Sequence, residues 1–216
     1  MEIKYFVRTT GERKLDKSFN QIEYELLIDT EHKPITSFIA QLKYISAYNA
    51  VLLEDDVILC KDFKKRIEGV INKYPNDIIN FFTEPMRYFT TQYSLTFCYN
   101  QCTFYPMGLA NRIAEIMITD FKIHPDAHGY DSVEARALMK LQIPHLQYRP
   151  CLVQHDDKQS LISFSDESRI TPYFIDYLDK LDLNYESKET LLNRQKLLHE
   201  RNKHLNIDLL NKKSSK

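Results

Sequence analysis

Residues Val51-Leu52-Leu53-Glu54-Asp55-Asp56-Val57-Ile58 restrict the fold of this chain more than any other segment. The leucine- and valine-rich run reads as a buried strand. It stops at three consecutive carboxylates and resumes as Val57-Ile58-Leu59. Acids flanked by apolar residues are costly to bury unless a cation pairs with them. A divalent metal is the simplest partner, because hard oxygen ligands suit magnesium or manganese. An isolated acidic triplet is more often a solvated turn, but the apolar runs on both sides favour the buried, partnered reading. The carboxyl end of a strand is also where an open α/β sheet places its ligand.

Periodicity around this segment alternates. Residues 2–10 read as a first strand, with Ile3, Tyr5, Phe6 and Val7 as its apolar part. Residues 22–28 read as a second strand closed by Asp29-Thr30. Pro34 opens a helix in which Phe38, Ile39, Leu42 and Ile45 recur at helical spacing. Strand 50–54 follows, then a helix over 63–74 ended by Pro75-Asn76-Asp77, then a short strand over 78–82. This β-α-β-α-β order predicts a mostly parallel sheet flanked by helices.

The middle of the chain differs. Residues 89–105 are rich in Tyr, Phe and Thr with turn residues at Asn100-Gln101, and predict antiparallel strands or a hairpin. A helix is expected from Pro106 to about Thr119, a loop over 120–129, a helix over 132–141 and a late strand over 147–153. Residues 1–165 are expected to form one domain, and 166–216 a helical C-terminal extension whose last few residues fray.

Hydrophobic residues make up 43% and charged residues 27% of the 216, an ordinary globular composition. The net charge of -1 excludes a global field for nucleic acid or anionic membrane. Its distribution is uneven. Residues 191–216 carry seven Lys/Arg (Arg194, Lys196, Arg201, Lys203, Lys212, Lys213, Lys216) against Glu200 and Asp208, leaving 22 basic and 28 acidic residues elsewhere. Cys60, Cys98, Cys102 and Cys151 form no CxxC pair and are expected as buried thiols in a reducing compartment. Glu2 and Lys4 interrupt the N-terminus and no run approaches the length of a membrane span, so a cytoplasmic protein is expected. Four glycines leave no glycine-rich phosphate loop.

Three further constellations carry possible chemistry. In His128-Gly129-Tyr130-Asp131-Ser132 the glycine permits an unusual turn. Asp131 or Ser132 is then either the N-cap of the following helix, or Asp131 is a carboxylate base facing the ligand side. In Pro150-Cys151-Leu152-Val153-Gln154-His155, the histidine ends an apolar strand and is a metal ligand or a strand-end histidine. Lys158 and Ser160 behind it are placed to donate to phosphate oxygens. In Arg8-Thr9-Thr10-Gly11-Glu12-Arg13, arginines and hydroxyls at a strand-to-loop transition suit a nucleotide, or a solvated turn.

In this order and spacing, these pieces resemble a glycosyltransferase of the GT-A fold over roughly residues 1–165. Glu54-Asp55-Asp56 is similar to the DxD-type acidic motif, in the form found in N-acetylglucosaminyltransferases and in lipopolysaccharide and bacteriophage glycosyltransferases. The resemblance implies a Rossmann-like sheet and a metal-dependent, inverting transfer from a nucleotide-diphosphate sugar, UDP-linked. It implies that Asp56 binds Mn2+ or Mg2+ bridging the diphosphate, with His155 a further metal ligand or a phosphate contact. Glu54 and Asp55 would contact ribose or sugar hydroxyls. Arg8, Thr9, Thr10, Arg13, Lys158 and Ser160 would contact the nucleotide, and Asp131 would deprotonate the acceptor.

Two acceptors are expected. Hydroxymethylated bacteriophage DNA fits the basic tail and the tyrosines, which can stack on a flipped or single-stranded base. A surface glycan or lipopolysaccharide is the other, reached by a peripheral enzyme docking through that tail. From other classes, a nucleotidyltransferase lacks its glycine- and lysine-rich loop here, and a non-catalytic nucleotide-sugar-binding protein has no need of the intact acidic triplet.

Overall fold

The computed structural model describes residues 1–82, 91–94, 100–123, 129–156, 171 and 174–176. Its elements in chain order are β1 (Ile3–Thr9), a 3-10 helix (Lys17–Gln21), β2 (Glu25–Ile28), α1 (Pro34–Ile45), β3 (Asn49–Glu54) and β4 (Val57–Leu59). Then come α2 (Phe63–Lys73), β5 (Ile78–Asn80), β6 (Gln92–Ser94), β7 (Cys102–Tyr105), α3 (Leu109–Ile123), α4 (Tyr130–Leu141), β8 (His145–Gln147) and β9 (Val153–His155).

Successive strand residues face opposite sides of one sheet, and both sides are covered. Tyr5, Val7, Val51, Leu53 and Phe104 pack with Phe63, Ile67 and Ile71 of α2. Phe6, Ala50, Leu52 and Tyr105 pack with Phe38 and Leu42 of α1, Ile113 of α3 and Ala137 of α4. Coverage on both faces is why β3 reads as a continuous apolar run and not as an alternation.

The seven-stranded sheet has the order β2-β1-β3-β7-β5-β8-β6. Five of the seven strands (β1, β2, β3, β5, β8) point the same way, while β6 and β7 run against them. The architecture is a mixed α/β fold, with a mostly parallel central sheet flanked by helices and a separate antiparallel pair, β4 with β9. From β1 the chain moves to β2 on one side, and α1 then returns it to β3 on the other. The carboxyl ends of β1 and β3 therefore stand at a topological switch point, the crevice where such sheets take ligands.

Several expectations are corrected. The hairpin over 89–105 does not form between the described strands: β7 inserts between β3 and β5, while β6 is an edge strand on β8. The expected strand over 147–153 is two strands in different sheets, because Pro150 lacks the N–H a ladder requires. The loop expected from Asp120 is helical as far as Ile123, where α3 ends. The boundary near 165 lies outside the described residues. Beyond it, Thr171 and Ile175 return to the body: the Thr171 amide donates to Gln154 Oε1 (2.8 Å) and the Ile175 amide to the Cys151 carbonyl (3.0 Å). Most of the expected C-terminal helices and the whole basic tail lie outside the described residues.

Candidate functional site

Parallel pairing of β1 with β3 places Arg8 opposite Glu54. The chain then turns at Asp55-Asp56 and enters β4, whose Val57 pairs with His155 of β9. The Asp156 amide donates to the Asp56 carbonyl (2.8 Å) and locks that corner. A local strand order and one small antiparallel pair thus bring residues 8–13, 54–56 and 155 together.

The contacts are specific. Thr9 Oγ1 donates to Asp55 Oδ2 at 2.5 Å and accepts from the Gly11 amide at 2.8 Å. Arg13 Nη1 lies 2.6 Å from Asp56 Oδ2 and 3.7 Å from Asp55 Oδ1. His155 Nε2 is 3.4 Å from the same Asp56 oxygen. Arg8 Nη1 is 3.6 Å from Glu54 Oε1, and its guanidinium lies 3.8 Å from the Tyr130 ring centroid and 4.9 Å from that of Phe38. The Tyr130 hydroxyl donates to Glu54 Oε1.

Electrostatics separate the three acids. Burial, and then the Asp56 charge, push the Glu54 carboxyl up to about 7 against the pull of Arg8 and Tyr130. Burial also raises Asp55, with the Thr9 hydrogen bond opposing. Burial pushes Asp56 upward too, but His155 and Arg13 outweigh it and hold this carboxyl below its usual value. Asp56 is therefore the most acidic of the three.

Among the described residues, three buried polar atoms at this point have no hydrogen-bond partner: Arg8 Nη1, Thr10 Oγ1 and Asp56 Oδ1. Buried polar atoms are normally satisfied, so each of these exceptions calls for a ligand or an ordered water. For a divalent metal, the donors are suitable in kind: a carboxylate and an imidazole, whose nitrogen lies 3.4 Å from the Asp56 oxygen that Arg13 also holds. Among the described residues no group of three or more His, Cys, Asp and Glu is arranged to hold an ion. Asp56 and His155 therefore fit only the sparse type of site, in which substrate phosphates and water supply the other ligands. Arg13 already neutralises one Asp56 oxygen, and a metal would have to use the other.

Asp131 lies in the first turn of α4, whose N-cap is Gly129, so the expected capping by Asp131 or Ser132 is corrected. Asp131 Oδ1 instead accepts from the Ser132 amide at 2.8 Å. Gly129 has φ +78, and a Cβ there would stand 2.5 Å from Asp131 Oδ1. The glycine is thus needed both for the turn and for the close approach of that carboxylate. Lys158 and Ser160 lie outside the described residues.

Sequence reasoning missed the layer behind Glu54. Glu134 is fully buried, accepting from Asn100 Nδ2 (2.5 Å) and from the Tyr105 hydroxyl (2.7 Å). Burial pushes its carboxyl up to about 7, with both hydrogen bonds opposing and the Asp131 charge adding to the rise. The signal was available: Val133, Ala137 and Leu138 form the apolar stripe of α4, and Glu134 sits inside it. Tyr130 precedes Glu134 by one turn on that helix and joins it to the acidic centre.

The fold and this centre define an α/β protein with a polar site at its sheet's switch point. No family model matches the sequence, and no curated protein matches it. Among solved structures, the crystal structure of A197 from STIV is similar over 79% of this chain and 98% of that one, at 15% identity and a TM-score of 0.46.

Proposed function

We propose that this chain is a metal-dependent, inverting glycosyltransferase that moves a sugar from a nucleotide-diphosphate sugar, UDP-linked, to an acceptor hydroxyl. The observation that carries this reading is that Arg8 Nη1, Thr10 Oγ1 and Asp56 Oδ1, on residues at or just past the carboxyl ends of the paired strands β1 and β3, are each buried without a hydrogen-bond partner. A guanidinium, a hydroxyl and an ionised carboxylate are complementary to phosphate, ribose and a bridging cation respectively.

Asp56 and His155 are the residues that would hold Mn2+ or Mg2+, which when bound neutralises charge growing on the leaving diphosphate. Arg8 and Arg13 supply fixed positive charge on the same side and require no reorganisation during transfer. Glu54 and Asp55 orient sugar or ribose hydroxyls. Asp131, half-buried beside Tyr130, takes the proton from the acceptor hydroxyl as that oxygen attacks the sugar carbon and the diphosphate leaves.

The test is release of nucleoside diphosphate from UDP-sugars with manganese, run with hydroxymethylated DNA in one arm and a surface glycan in the other. Asp56→Ala is expected to abolish transfer, and Asp131→Asn to keep donor binding while removing transfer, because a carboxamide cannot accept the proton. Full transfer by Asp56→Ala would sink the assignment. Donor binding without hydrolysis or transfer under any condition would favour a nucleotide-sugar-binding protein.

A further inference from the structure

A groove of about 730 Å3 runs along α2 and shares no residue with the acidic centre. Three cations of α2 line it, Lys65, Arg66 and Lys73, against the acid Asp62; a fourth lining cation, Arg149, is buried with its Nη1 on Cys151 Sγ (2.9 Å) and Thr171 Oγ1 (3.5 Å). Lys65 and Lys73 are separated by eight residues of one helix, or about 12 Å, too far for a single small anion to reach both. Tyr74 and Tyr148 also line the groove, each partly buried, with the Lys73 ammonium 5.1 Å from the Tyr74 ring centroid. Cations spaced along a trough with ring faces beside them suit a chain of phosphates whose bases can stack.

Gly69 adds an independent observation. It sits between Lys65 and Lys73 on the same helical face, in the interior of α2. A Cβ added there would meet nothing within 4 Å, and its backbone is helical and not left-handed. Neither packing nor conformation therefore calls for glycine, and glycine weakens a helix interior. What the missing side chain does provide is a clear floor between the two lysines.

We propose that this groove binds single-stranded nucleic acid, with Lys65, Arg66 and Lys73 on phosphates and Tyr74 and Tyr148 stacking on bases. The inference does not depend on the transferase reading, because binding is measured without donor or metal. Fluorescence anisotropy of a labelled oligothymidylate with the full chain is the assay. Saturable binding is expected, with log affinity falling against log salt at a slope of roughly -2, as three single-strand phosphate contacts require. Gly69→Glu places a carboxylate on the groove floor and is expected to weaken binding at least tenfold without lowering the thermal midpoint. Tyr148→Leu keeps an apolar side chain against Phe81 and is expected to weaken binding at least fivefold. The proposal is overturned by absence of saturable binding, or by full affinity in Gly69→Glu. It is equally overturned if inorganic polyphosphate competes as well as oligonucleotide and Tyr148→Leu binds as the unaltered chain does, since the groove would then read charge alone.

Discussion

Glu54 and Glu134 both retain protons up to about pH 7, for reasons that differ beyond burial: Glu54 faces the Asp56 charge, whereas Glu134 faces that of Asp131 against the pull of its Asn100 and Tyr105 hydrogen bonds. A carboxyl raised from 4.5 to about 7 binds more protons in the folded state than in the unfolded one across that window. Its contribution to stability therefore falls as pH rises from 4.5 to 7 and is flat beyond. At about 1.4 kcal/mol per unit, the fall for Glu134 is of the order of 3 kcal/mol. Glu134→Gln keeps both contacts once the Asn100 amide turns over, and carries no proton to lose. Urea melts between pH 5 and 7.5 are expected to show a shallower decline for this variant, which at pH 7.5 equals or exceeds the unaltered chain in stability. Parallel curves would mean that Glu134 ionises as an ordinary carboxyl. Gly129→Ala tests the other constraint at this scale. With φ +78 and a Cβ 2.5 Å from Asp131 Oδ1, it is expected to cost about 1–3 kcal/mol in the same melts. Of these residues, Gly129 was legible because turn chemistry is local. Glu134 was not, because its partners lie 34 and 29 positions away.

At the scale of elements, α3 and α4 are joined by a buried acid. Asp120 accepts from Arg136 Nε and Lys140 Nζ, both at 2.6 Å, from one face of α4. Burial pushes this carboxyl up, but Lys140 and Arg136 prevail and hold it below its usual value. Its stabilisation is therefore present above pH 3.8 and is lost as pH falls through the lowered value. Asp120→Ala removes two charge-assisted bonds and is expected to cost about 1.5–3 kcal/mol per bond at most, read as a lowered urea midpoint at pH 7. In the opposite direction, Gly69→Ala meets no neighbour within 4 Å and is expected to raise stability by about 1 kcal/mol. A loss of stability there would mean that the floor of the groove is packed. The helices were legible because their apolar spacing is set within a few residues: α1 starts at Pro34 as expected, and α2 spans Phe63–Lys73. In the middle, antiparallel strands were legible but their partners were not, because β7 pairs with β3 and β5 through long-range contacts that no local pattern encodes.

On the scale of the whole molecule, the acidic centre draws on residues 8–13, 54–56, 130 and 155, stretches that meet only when the sheet, the β4–β9 pair and α4 are all in place. A ligand held by all of them binds the folded chain and not the unfolded one, so it must raise the stability of the entire fold. The sequence made the members of this centre legible through the acidic triplet and the strand-end motifs. The distances between them depend on sheet order, which it did not reveal. For Mn2+ with a nucleoside diphosphate at one hundred times its dissociation constant, linkage gives about 2.7 kcal/mol. For a chain of this size, that is a rise of roughly 5–10 °C in thermal midpoint. In Asp56→Ala, which removes the oxygen that lies buried without a hydrogen bond, the increment produced by adding manganese to the nucleotide is expected to vanish. The comparison is between increments, so any change the substitution makes to the midpoint itself drops out. An undiminished increment in Asp56→Ala would place the metal elsewhere. Absence of any increment in the unaltered chain would leave Arg8 and Arg13 as the site's cations, and the transfer chemistry would have to proceed on their charge.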